Sequence, residues 1–143
     1  MPIHSDREAR ILDAAVELIV HYGYDKTTVD DIARHAGISK GAIYLHFAGK
    51  EALFEKLFER EVFRYADAWL ARIEADPNGG SLAAMYVHML QALKQSPFLS
   101  AMFRRDQRVF GTYLRKPGNF FQSAAAGRAR SPRADFVARM QEA

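Results

Sequence analysis

The 143-residue sequence contains no cysteine and a single tryptophan, and it has no apolar run long enough to cross a bilayer. Without cysteine there is no disulfide framework, no thiolate zinc site and no cysteine nucleophile, a usage that suits a reducing cytoplasm. His4, His21, His35, His46 and His88 show no spacing that sets two metal ligands on one helical turn. No glycine-rich phosphate loop is present, and no serine sits in a nucleophile elbow. Neither enzymatic chemistry nor a metal or cofactor is therefore expected. The opening "MPIHSDREAR" is charged where a signal peptide needs an apolar segment, so the expected location is cytoplasmic and away from membranes. Strand-like alternation between turn signals is missing as well.

What the chain does have is a hydrophobic content of 49%, typical of a globular protein, distributed with helical periodicity. The expected fold is all-α. Ser5-Asp6-Arg7-Glu8 reads as a capping box ahead of Ile11, Leu12, Ala15, Val16, Leu18 and Ile19, and Gly23 ends that first helix. Thr28 with Asp31 marks a second start, followed by Val29, Ile32, Ala33 and Ala36 and ended by Gly37. In "GISKGAIYLHF", Ser39 is an N-cap and Ile38 can staple onto Ile43. Two short helices joined by a glycine-containing turn and packed on a longer first helix form the pattern of a helix-turn-helix.

Beyond "AGK", Leu53, Phe54, Leu57, Phe58, Val62, Tyr65, Trp69 and Ile73 share a face of one long amphipathic helix that runs to about residue 75. "DPNGGS" breaks it, Ser81 starts a further helix, and Ser96-Pro97 starts another through Phe98, Leu99, Met102 and Phe103. The signal then weakens around Pro117, Gly118 and Gly127, where a broken helix is expected, before Ser131-Pro132 opens a last helix.

On a helical wheel of residues 39–47, Ile43 and Phe47 mark the buried side, Tyr44 and His46 the two shoulders, and Gly41 and Leu45 the outward face. That arrangement suits a helix laid in a DNA major groove. Shoulder residues would reach phosphates, Gly41 would permit close approach, and Leu45 would touch a thymine methyl. The helix starts at Thr28 and Ser39 add backbone N–H groups and positive dipole ends for further phosphates. A plainer reading stands beside this one: Tyr44 and His46 are amphipathic residues that also occupy the edge of a core with only their polar tips wet.

The stretch "TTVDDIARHAGISKGAIYLHFAGKEALF", with "ILDAAVELIVHYGYDKTT" before it, closely resembles the DNA-binding domain of the TetR family of bacterial transcriptional regulators. The resemblance implies a helix-turn-helix DNA-binding domain over residues 1–49 and a helical effector-binding and regulatory domain over 50–143. It implies phosphate contacts from Thr28, Tyr44, His46 and Lys50, and base-edge positions for Ser39, Lys40 and Gly41. Leu45 departs from the aromatic or polar residue usual at its position, which favours a methyl contact or simple spacing over a hydrogen bond. The implied partners are a palindromic double-stranded DNA operator, a small apolar or aromatic effector and a second copy of the chain. The implied function is a ligand-responsive regulator, most simply a repressor released from its operator by the effector.

Candidate effector contacts come from an aromatic and methionine-rich set: Tyr65, Trp69, Met85, Tyr86, Met89, Met102, Phe103, Phe110 and Tyr113, with His88 as a polar contact. Phe98, Phe120 and Phe121 extend the same set. Large apolar residues at helical spacing are also ordinary core, and that alternative applies to each member. Members of the family usually carry two more long helices that build the dimer; this chain stops in "ADFVARMQEA", so a truncated product is expected, with an unusually short member as the alternative. Charge is uneven: residues 104–143 hold nine Lys/Arg against three Asp/Glu, whereas the helix-turn-helix region is nearly balanced. The rival to a DNA-binding regulator is therefore a helical protein-interaction module that uses the basic C-terminal segment.

Overall fold

Local punctuation sets most of the helix ends in the computed structural model, which describes residues 2–119 and 122. Among the described residues seven α-helices follow one another: α1 (Pro2–Tyr22), α2 (Val29–Ala36), α3 (Lys40–His46), α4 (Lys50–Ala75), α5 (Leu82–Lys94), α6 (Pro97–Phe103) and α7 (Gln107–Phe110). A 3-10 helix, Gly111–Arg115, comes after α7. Among the described residues there is no strand, and the fold is all-α as expected.

One start is misplaced by the sequence reading. The first helix is already running at Pro2, so Ser5 lies inside it and does not cap it. Proline suits a first helical position because its φ is preset and it has no N–H to leave unpaired. The other starts agree: the Thr28 and Asp31 capping box is complete, and Ser39, Ser81 and Ser96 each accept a backbone N–H as N-cap. The broken helix expected around Pro117, Gly118 and Gly127 falls mostly outside the described residues; ahead of it the chain forms α7 and the 3-10 helix, which begins at Gly111 with φ +50. The expected helix from Ser131, and Phe120 and Phe121, lie outside the described residues.

The apolar stripes of α1, α2, α3 and α4 meet in one cluster that contains Ile11, Ala15, Ile19, Ile32, Ile43, Leu53 and Leu57, all buried. Burying each large aliphatic side chain stabilises the fold by about 1.5–3 kcal/mol. That cluster continues without a break into an aromatic one. Phe54 lies 4.4 Å from the Tyr113 ring, 4.8 Å from Tyr24 and 5.8 Å from Phe98, measured between centroids. The start of α4 is thereby wedged between the α1–α2 turn on one side and α6 and α7 on the other.

Candidate nucleic-acid interface

The outward face of α3 forms because its short apolar complement is spent on the core: Ile43 is fully buried and Phe47 nearly so, while Ile38 packs half-buried against the same cluster. Leu45 is then 83% exposed and Tyr44 49% exposed, which is unusual for large apolar side chains placed side by side on a capped helix. A Cβ built on Gly41 would meet nothing within 4 Å, so no packing within the chain requires glycine there. Ser39 and Lys40 are exposed, and His46 is half-buried with its ring 6.4 Å from that of Phe47.

The turn that aims α3 is held by long-range bonds. Arg10 on α1 donates to the Ala36 carbonyl oxygen at 2.8 Å, and Gly37 takes a left-handed φ of +68 that lets α2 end and α3 begin. Thr28 donates through its hydroxyl to Asp31 at 2.7 Å and through its backbone N–H at 3.0 Å. Those two bonds hold the Asp31 carboxyl below its ordinary pKa. Thr28 is exposed at the N-terminus of α2, where the helix dipole favours an anion.

Lys50 makes its contacts within the chain. Its ammonium donates to the Tyr24 carbonyl oxygen at 2.6 Å and lies 4.1 Å from the centroid of the Tyr24 ring, and this burial pushes its pKa down. The head group is thereby engaged at the α1–α2 turn. The same turn is gripped by residues far along the chain. Tyr24 donates its backbone N–H to the Val109 carbonyl at 2.7 Å, and Thr112 bonds Asp25 through both its backbone N–H and its hydroxyl. Burial raises the Asp25 pKa, but the Thr112 bonds, with Lys50 and Arg115, outweigh it and leave the carboxyl below its usual value. Gly23, at φ +92, has no alternative: a Cβ there would collide with the Arg108 carbonyl oxygen. Sequence reasoning missed Asp25, Val109 and Thr112, because pairs 85 or more positions apart leave no local signal.

The expected effector residues do not gather in one place. Phe110 and Tyr113 are fully buried in the aromatic core. Trp69 donates its indole N–H to the Met85 carbonyl at 3.1 Å, and His88 is paired with Asp76 at 2.7 Å, so both join α4 to α5. Met85 and Met89 are half-buried on α5, Met102 is half-buried against the core, and Tyr86 and Phe103 are exposed. A cleft of about 780 Å³ does open between α1, α4 and α6, and of the expected set Tyr65 and Phe98 line it. Its other walls include Val16 and Val20, which the sequence reading assigned to helix packing or left unmarked. Among the described residues no cluster of acidic and histidine side chains could hold a metal ion, and no helix is long and apolar enough to cross a membrane.

Comparison with known proteins points the same way as the geometry. Residues 11–57 match the family described as "Bacterial regulatory proteins, tetR family". The fatty acid metabolism regulator protein of Bacillus subtilis is 39% identical over 67 residues, which are 47% of this chain and 32% of that protein. An HTH-type transcriptional repressor of Mycobacterium tuberculosis is 43% identical over 60 residues, 42% of this chain and 32% of that protein. A solved structure from Shewanella sp. PV-4, described as a tetR family transcription regulator, superposes with a TM-score of 0.59 at 28% identity and covers 88% of this chain and 74% of that one. The chain spans about a third of the length of these curated relatives.

Proposed function

We propose, from the premise that the chain belongs to the TetR family of bacterial transcriptional regulators, that it is a sequence-specific repressor released from a palindromic operator by a small apolar or aromatic effector. Regulators of this family bind DNA, and the outward face of α3 supports that use here. The observation that carries the reading is the pairing of Leu45 and Tyr44, exposed side by side on a short capped helix, with open space at Gly41. In a major groove, Leu45 meets a thymine methyl, Tyr44 and His46 reach the phosphates on either wall, and Ser39, Lys40 and Gly41 approach base edges. The exposure of Thr28 at the start of α2 supports a contact from it to a further phosphate.

Lys50 takes a different part in this scheme. Its ammonium is engaged with Tyr24, so we assign it to holding the α1–α2 turn, and through that turn Thr28, in place. The regulatory portion runs from Lys50 onward, and a second copy of the chain supplies the other half of the operator contact, with its recognition helix about 34 Å away. Repression, as named for the Mycobacterium relative, fits a head that blocks a promoter when bound.

The test is an in vitro selection of the purified chain against a random duplex pool at about 100 mM salt, where phosphate contacts still contribute strongly. Tyr44→Ala runs in parallel. A palindromic site recovered by the parent and lost by the variant is the expected result. A lone half-site would remove the dimer from the proposal. Equal enrichment with both proteins would overturn the DNA reading and favour a protein-interaction module.

A further inference from the structure

The cleft between α1, α4 and α6 has apolar walls from Val16, Val20, Tyr65, Ala68 and Phe98, and one charged group set well inside it. Glu61 has a side chain only 11% exposed, and its Oε1 accepts from Arg60 at 2.9 Å. Arg60 is fixed in turn by Asp13 at 2.7 Å. The other carboxylate oxygen, Oε2, has no hydrogen-bond partner among the described residues, although each carboxylate oxygen can accept two bonds. Arg64 and Arg108 also line the cleft with side chains 58% and 80% exposed, and Arg64 Nη1 lies 3.7 Å from Glu61 Oε1, the oxygen that Arg60 already holds. An occupant that covers the apolar walls therefore meets the open Oε2, with Arg60 and Arg64 both on the other carboxylate oxygen. The volume lies in the range of small-molecule sites, about 300–1,000 Å³.

The cleft also touches the DNA-binding head without an intermediary. Val16 and Val20 belong to α1, the helix on which α2 is packed, and α2 in turn packs on α3. Arg108 is at once a wall of the cleft and the residue whose carbonyl oxygen abuts Gly23. Its neighbour Val109 accepts the Tyr24 N–H, the first bond of the turn that leads to Thr28. A displacement of Arg108 would bear on the turn through the adjacent Val109 carbonyl, which holds the Tyr24 N–H.

We infer that this cleft binds a small molecule with an apolar or aromatic body and a single N–H or O–H donor, the donor meeting Glu61 Oε2, and that occupancy acts on the DNA-binding head directly through α1 and the Arg108–Val109 backbone. The binding half stands by itself; the second half rests on the proposed DNA-binding function. A carboxylate-bearing analogue is disfavoured, because its charge would face Glu61 in a partly dry site.

The test uses three probes of one shape titrated into the isotope-labelled full chain and followed by backbone amide signals: 1-naphthylmethylamine, 1-naphthol and 1-naphthoate. The amine and the naphthol are expected to bind with Kd below about 1 mM, as good fragments do, and the naphthoate at least about tenfold more weakly. Signals of Val16 and Val20 should move together with those of Tyr24, Asp25 and Thr112. Glu61→Gln keeps an acceptor but loses the charge, so it should weaken the amine about tenfold and leave the naphthol within about threefold. Ala68→Trp fills the cleft and should abolish binding of all three, with its melting temperature showing that it folds.

Naphthoate binding as tight as the amine's, an unchanged amine affinity in Glu61→Gln, or binding that survives Ala68→Trp would overturn the site. Unmoved Tyr24, Asp25 and Thr112 signals would overturn the direct route to the head. Duplex selection separates the two readings: a chain that selects DNA but ignores the probes fails only the cleft, and a chain that binds the probes but selects nothing fails only the regulator.

Discussion

Lys50 holds Tyr24 twice, by a 2.6 Å hydrogen bond to its carbonyl oxygen and by a cation–π contact 4.1 Å above its ring. The first residue of α4 is thereby bonded to the turn that separates α1 from α2, and three helices share one tether.

Replacing Lys50 by Met keeps the apolar stem and removes the tether. A charge-assisted hydrogen bond contributes about 1.5–3 kcal/mol, and partial exposure of this one lowers the expectation to about 1 kcal/mol. Urea unfolding should show that loss. The salt dependence of operator binding should keep its slope, whereas loss of a direct phosphate contact would lower it by about 0.9. A slope reduced by that amount at unchanged stability would return Lys50 to the DNA surface.

Gly41 offers the converse experiment. A methyl added there meets nothing within 4 Å, and alanine is favoured over glycine in a helix by about 1 kcal/mol, so Gly41→Ala should raise the unfolding free energy by up to that amount. Operator affinity should fall about tenfold or more if the α3 backbone lies against the bases. A variant both more stable and equally tight on DNA would show that the groove leaves room at this position.

Acid should weaken the protein through three carboxyls. Hydrogen bonds from Thr28 depress the Asp31 pKa, those from His88 and the Asn78 backbone depress that of Asp76, and Thr112 outweighs burial at Asp25. A carboxyl whose folded pKa lies below its unfolded value stabilises the fold above that unfolded value, about 3.9 for Asp, and loses the contribution as pH falls through the folded one. The urea midpoint should stay level from about pH 7 to 5 and drop below about pH 4. Asp25→Asn should begin lower at neutral pH and fall less steeply, so that the two curves approach each other in acid.

Local chemistry made the head of the molecule legible. Thr28 with Asp31, Ser39 as a cap and Gly37 as a left-handed stop all act within four residues, and each was found where the sequence put it. Ile43 and Phe47 on one side of α3 with Leu45 on the other follow from helical period alone. The later part of the chain was less readable for the opposite reason. Periodicity marks Phe110 and Tyr113 as apolar, but whether they face a cleft or a core is decided by how residues 107–115 fold back onto Tyr24 and Phe54. Val16 and Val20 carry the same ambiguity in reverse, since a helix wheel cannot show where its neighbours leave a gap. Ser5 is not a cap because α1 already runs from Pro2, a residue suited to the first turn of a helix.

The grip of Val109 and Thr112 on Tyr24 and Asp25 bears on how such a head can be reused. Residues 11–57 look like a portable module, yet the turn inside it draws backbone and side-chain bonds from residues 109 and 112, and its central Phe54 is sheathed by Phe98, Phe110 and Tyr113. A chimera that grafts this head onto another regulator must therefore bring the 107–113 strap along or rebuild an equivalent one, and recombination breakpoints placed just after α4 begins would sever a unit that the chain assembles from both sides.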